Sequence, residues 1–165
     1  MVIREMRTGD RAAVAQLQIA SWRSVYAGVL PSAYLQEQVV SDLARHWQKL
    51  QFSDRDVVLV AEGAGIQGFI TVWTGDEPYI DNLHVSETAR SQGLGRRLMK
   101  EAARRLQAQG ANSAYLWVAE SNSRALAFYF RIGGSAGERK EIDVFGYAMP
   151  AIRVHWDSLD PLLKA

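Results

Sequence analysis

The chain contains no cysteine. That excludes a disulfide framework, a cysteine nucleophile and a thiolate metal site. Excess charge is also lacking: 19 Lys and Arg stand against 18 Asp and Glu, a formal net charge of +1. No global field therefore directs the chain to nucleic acid or to an anionic membrane. No apolar run approaches the roughly 20 residues that span a bilayer. The segment Met1 to Asp10 carries Arg4, Glu5, Arg7 and Asp10 and has no apolar stretch of the secretory kind. These absences together fit a cytoplasmic protein. The histidines His46, His84 and His155 have no ligand spacing, and no metal is expected.

What is present is the composition of a globular domain, with 48% hydrophobic and 22% charged residues. A length of 165 residues suits one domain, residues 1–165, large enough to bury a core. Repeats, low-complexity segments and linkers are not visible. Val2 to Met6 reads as a short strand, and Asp10 as the cap of a helix with Val14 and Leu17 inward. An aromatic-rich stretch follows, with Trp22, Tyr26, Leu30, Pro31 and Tyr34. Ser41 is placed to cap a helix with Leu43, Trp47 and Leu50 on one stripe. Val57 to Glu62 and Gln67 to Thr74 read as a hairpin, and Tyr79 to Val85 as the next strand.

Gly93 to Gln109 is an amphipathic helix with Leu94, Leu98, Met99, Ala102 and Leu106 on its apolar stripe, ended by Gly110. Its basic face reads first as solvated surface. A strand, Ala114 to Val118, and a helix, Asn122 to Ile132, come next, and two more strands are expected between Ser135 and Trp156. The fold class is α/β (α+β): one mixed, mostly antiparallel sheet of about seven strands with helices on both faces.

The densest chemical signal is Arg90-Ser91-Gln92-Gly93-Leu94-Gly95-Arg96, between a strand and a long helix. Free N–H groups in the first turn of a helix, with the helix dipole, form an anion site. Glycines let the backbone approach a phosphate closely. A Walker A loop fails, because Arg96-Arg97 follows Gly95 where Lys-Ser/Thr is needed. A dinucleotide fingerprint fails too, because Leu98 occupies the third glycine position. A plain glycine-rich helix entry remains possible from the loop alone.

The loop matches the R/Q-x-x-G-x-G/A pattern. Asn122, Ala125, Phe128, Tyr129 and Gly133 match N-x-x-A-x-x-F-Y-x-x-x-G. Together with Ile80-Asp81-Asn82-Leu83-His84-Val85, the opening Ile3-Arg4 and the Trp22, Tyr26 and Leu30-Pro31 cluster, they resemble the GNAT superfamily of N-acetyltransferases. One departure is Gly134, where that family usually has Phe.

The resemblance implies a GNAT-type sheet whose fourth and fifth strands splay to admit the thioester arm of acetyl-CoA. It implies cosubstrate contacts from Leu83, His84 and Val85, from Arg90 through Arg96, and from Asn122, with the Tyr129 hydroxyl at the thioester sulfur. It also makes a homodimer possible. The implied reaction is direct acetyl transfer to a primary amine, the acceptor being a small amine metabolite. Protein acetylation and a non-catalytic acyl-CoA-binding module are the alternatives. Protein acetylation would be at a lysine or at the N-terminus; some protein acetyltransferases carry a catalytic glutamate at the position of Trp117, and its absence here weakens the N-terminal reading.

An alkylamine with a pKa around 10 arrives protonated, so a base or water relay is needed. Asp81 is the first candidate, on an expected face shared by Tyr79, Asp81, Leu83 and Val85. Glu120, at the end of the fifth strand, is the second. Tyr129 as acid competes with a role as an ordinary buried tyrosine, and Asp81 with one as a structural carboxylate. Trp22 and Tyr26 are the expected aromatic wall of the acceptor site, or else core.

Overall fold

A computed structural model describes residues 1–165. The elements are β1 (Val2–Glu5), α1 (Arg11–Val25), α2 (Val39–Lys49), β2 (Val57–Gly63), β3 (Gly65–Trp73), β4 (Tyr79–Val85), α3 (Leu94–Ala108), β5 (Ala114–Ala119), α4 (Ser123–Arg131), β6 (Ser135–Val144), β7 (Tyr147–Trp156) and α5 (Asp160–Lys164). One seven-stranded sheet runs β1-β2-β3-β4-β5-β7-β6. All pairs are antiparallel except β4 with β5, and that pair meets only at Tyr79 and Tyr115. Beyond this point the two strands part.

Helices cover both faces. Leu94, Leu98, Leu106, Tyr129 and Leu162 pack α3, α4 and α5 on one side. On the other, Val14 and Trp47 meet Phe69, while Trp22 and Leu43 meet Met149. A buried polar chain fastens this second layer. Trp47 Nε1 donates to Gln18 Oε1 at 2.6 Å, Gln18 Nε2 to Asn82 Oδ1 at 3.0 Å, and Asn82 Nδ2 to Thr71 Oγ1 at 2.9 Å. Every link is satisfied, so the chain fixes α1 and α2 on β4 and β3 without an orphaned polar group.

Three local expectations change. Asp10 does not cap α1, because its carboxylate accepts from Arg4 Nη1 at 2.7 Å and from the Arg7 N–H at 2.7 Å. Ser41 is inside a helix, because a π-helical turn, Tyr34–Gln38, runs directly into α2, and its hydroxyl donates to the Gln38 carbonyl. Strand β4 does not alternate evenly. Thr71 pairs with Asn82 and Val72 with Ile80, leaving Asp81 as the extra residue of a bulge. The bulge keeps Ile80, Leu83 and Val85 toward α3, while Tyr79 pairs with Trp73 on the face toward α1 and α2. The expected shared face of Tyr79, Asp81, Leu83 and Val85 is therefore incorrect.

The Gly134 departure also has a local cause. A Cβ there would lie 2.6 Å from Val154 Cγ1 and 2.9 Å from Trp156 Cζ2. Trp156 uses that space, donates Nε1 to the Ile132 carbonyl at 3.1 Å and meets the Tyr129 ring edge-on at 6.0 Å.

Candidate active site

The loop between β4 and α3 turns through two left-handed residues, Ser91 at φ 71° and Gly93 at φ 72°. The amides of Ser91, Gly93, Leu94, Gly95 and Arg96 take no backbone carbonyl, so their N–H groups stand free at the start of α3. They border a cleft of about 600 Å³ also lined by Leu83, His84, Val85, Arg90, Asn122 and Tyr129. The second loop glycine answers to packing, since a Cβ on Gly95 would sit 3.2 Å from the Phe128 ring. Gln92 does not line the cleft: its side chain turns back to donate to the Thr88 carbonyl at 2.9 Å.

Among the cleft residues that escaped the sequence reading are two arginines, Arg124 and Arg131. With Arg90 and Arg96 they bring four guanidinium groups to one cleft, a donor set suited to phosphate oxygens. A signal for them existed. They stand seven positions apart, two helical turns, and so share one side of α4. Asn122 caps this helix, its Oδ1 accepting from the Ala125 N–H at 3.1 Å.

A second cavity of about 480 Å³ opens on the α1 and α2 side. Tyr129, His84, Leu83, Ser21, Val25 and Asn122 line both spaces, so the two meet where β4 and β5 part. Trp22 and Tyr26 line this cavity, with ring centroids 5.2 Å apart in an edge-on arrangement. Trp22 also belongs to the packed core, so wall and core coincide there. Phe145, at the β6–β7 turn and at φ 47°, closes over Trp22 at 5.9 Å and over His46 at 6.0 Å. No Lys or Arg lines the cavity.

Asp81 lines it from the bulge, its Oδ2 accepting from Trp73 Nε1 at 3.0 Å. Glu120 does not line either space, because its carboxylate is paired with Arg139 on the surface. As a candidate base it is corrected by this placement.

The titrating groups are tuned by burial. Burial, and then the charge of Tyr26, raises the Tyr129 hydroxyl well above its ordinary value, so it keeps its proton at neutral pH. Tyr26 is pushed up to about 12 by burial and by Asp81. Burial, then the charge and hydrogen bond of Asp81, raises Tyr79 as well. The His84 imidazole falls to about 4 through burial and the nearby Arg90, and its Nδ1 lies 2.8 Å from Ser21 Oγ. His84 is thus a neutral wall group.

Residues 17–133 match the acetyltransferase (GNAT) family. Over 167 aligned residues the chain is 23% identical to the uncharacterized N-acetyltransferase YuaI of Bacillus subtilis, covering 98% of this chain and 96% of that protein. The fold is similar to that of the PaiA N-acetyltransferase of Thermoplasma acidophilum in complex with coenzyme A, with a TM-score of 0.67, 20% identity, and 92% and 96% of the two chains covered. It is also similar to that of the ribosomal-protein-S18-alanine N-acetyltransferase of Escherichia coli, with a TM-score of 0.66, 20% identity, and 93% and 91% covered. A sheet parted between β4 and β5, a free-amide loop opening α3 and a match over most of the chain make this protein a member of the GNAT family of acetyltransferases.

Proposed function

We propose that the protein moves acetyl from acetyl-CoA to a small primary amine by direct attack, through a tetrahedral intermediate. The observation that carries this reading is the meeting of two differently built spaces at Tyr129. The cleft with free amides and four arginines suits a pyrophosphate, and coenzyme A is the ligand named for the PaiA complex. The cavity with aromatic walls, Asp81 and no Lys or Arg suits an ammonium.

The acceptor amine enters between Trp22 and Tyr26 and loses one proton to Asp81, directly or through water. Its nitrogen attacks the thioester carbonyl where β4 and β5 diverge. Main-chain N–H groups of β4 near Leu83 and His84 serve the developing oxyanion. As the carbon–sulfur bond breaks, Tyr129 gives its proton to the thiolate. The second proton of the attacking nitrogen restores the tyrosine. A leaving thiol with a pKa near roughly 8.5, by analogy with cysteine, asks for only modest acid help.

The test is thiol release from acetyl-CoA with a panel of amines. Amines free of a carboxylate should outperform α-amino acids, whose carboxylate meets Asp81 and no cation. Acetylation of protein lysines with no small amine active would overturn the acceptor reading. Cosubstrate binding without turnover on any amine would favour a binding module.

A further inference from the structure

His46 lies outside both sequence motifs, yet it occupies a distinctive place. It projects from α2 into the acceptor cavity, and it also lines a separate outer cleft of about 360 Å³ with Asp42, Arg45 and Lys49. Only His46 and Phe145 line both spaces. Phe145 is apolar, so His46 is the one group in this partition that can carry a proton. The two rings meet edge-on, at 88° between planes. No protein group hydrogen-bonds either ring nitrogen of His46, and neither is sealed from water.

The reaction releases a proton that such a group can carry. At neutral pH the acceptor arrives as an ammonium and leaves as an amide, and coenzyme A leaves as a neutral thiol. Each turnover therefore releases one proton. That proton starts at Asp81, an exposed residue of β4 that lines the cavity, so direct loss to water competes with any relay.

We propose that His46 is the proton exit of the acceptor cavity, passing the proton released at Asp81 to solvent through the outer cleft. This rests on the acetyl-transfer reading above. The N–H bond of the ammonium breaks and an O–H bond forms at Asp81. That proton moves through a cavity water to a ring nitrogen of His46, and the imidazolium gives it to water in the outer cleft. The ring ends neutral and no other reactant is consumed.

The groups facing His46 fit the task. Asp81 on β4 and Tyr26 just after α1 share its cavity, with Asp143 beside the hairpin turn. Asp42, Arg45 and Lys49 of its own helix border the outer cleft. Burial lowers the imidazole pKa against the opposing pull of Asp81, so the resting ring is neutral and able to accept. His84 makes a poor substitute, since its value of about 4 disfavours the protonated form and it does not line the outer cleft.

The experiment compares wild type and His46→Gln, full chain, with acetyl-CoA and the best amine of the panel. Melting temperature is measured alongside, and His46→Asn replaces the glutamine variant if that one does not fold. A relay predicts kcat lower by roughly tenfold at pH 7, below the usual range for a direct acid or base because water retains a slower route. Both Michaelis constants should stay within about twofold. Added imidazole should restore part of kcat, entering from the outer cleft. Unchanged kcat overturns the relay. A raised amine KM, or a loss that imidazole does not restore, overturns it too and assigns His46 to the wall. Absence of acetyl transfer in the wild type defeats the underlying reading instead, and the relay with it.

Discussion

The cleft at the glycine loop draws mainly on two short segments, 83–96 and 121–131, whereas the acceptor cavity collects side chains from α1, α2, α4, β4, β5 and the β6–β7 hairpin. The first presents backbone amides and arginines, and its form follows from where one helix begins. In the second, the wall residues are scattered between Gln18 and Met149. The contrast shows how one fold separates a shared task from an individual one. Holding a phosphate chain needs local geometry that a few glycines supply. Choosing an acceptor needs side chains from distant segments, each of which also serves the core.

The largest expected effect tests whether the acceptor wall is also core. Trp22→Ala removes a ring that is 8% exposed and belongs to the packed cluster. Thermal or denaturant unfolding should show a loss of roughly 3–5 kcal/mol. Tyr26→Ala, at a half-buried position after α1, should cost less and mainly raise the acceptor KM. Equal stability losses in both variants would make the pair simple core.

His84, at the junction of the two spaces, predicts a pH dependence of stability. Its folded pKa of about 4 lies below the unfolded value near 6.5. The unfolded chain therefore binds more protons between these values, and stability falls as pH drops through that window. The full contribution is about 3 kcal/mol, complete near pH 4 and absent above the unfolded pKa. Urea unfolding between pH 4 and 7 should show this slope, and His84→Gln should flatten it. An unchanged slope would place its origin elsewhere.

Tyr129→Phe probes the border itself. Packing against Trp156 is retained and the hydroxyl is lost. Turnover should drop roughly ten- to a hundredfold with acetyl-CoA affinity kept. Unchanged turnover with chemistry rate-limiting would remove the tyrosine from the mechanism.

The smallest effect belongs to the loop. Gly93 is left-handed with open space around its missing Cβ, so Gly93→Val meets backbone strain of roughly 1–2 kcal/mol and no clash. Calorimetry should register weaker acetyl-CoA binding, with the melting temperature lowered only slightly. Undiminished affinity in the folded variant would move the cosubstrate site away from the loop. Gly95→Val is a poorer probe of the same idea, since it would press on Phe128 and disturb α4.

The two regions also differ in how far they were legible beforehand. The order of strands and helices up to β7 followed from periodicity and glycine placement, and the loop side of the cleft from two motifs, although Gln92 turns away and Arg124 and Arg131 were not foreseen. The bulge at Asp81 was hidden, because an extra residue in β4 shows only against the register of β3. Glu120 was misjudged for a similar reason. Its place at the end of β5 was correct, but Arg139 lies 19 positions away and reaches it only through the folded edge of the sheet.

By itself the sequence determined what nearest neighbours along the chain decide: periodic apolar faces, a helix start with unpaired amides, a capping asparagine and a tyrosine at fixed spacing from it. These are local because hydrogen bonds within a helix and glycine torsions span only a few residues. Only the tertiary structure decided which carboxylate lines the second cavity, which arginines reach the cleft and that His46 borders both that cavity and the outer cleft. Those outcomes depend on strand register and on the packing of α1, α2 and the hairpin over one sheet. They are long-range contacts, and spacing along the chain does not encode them.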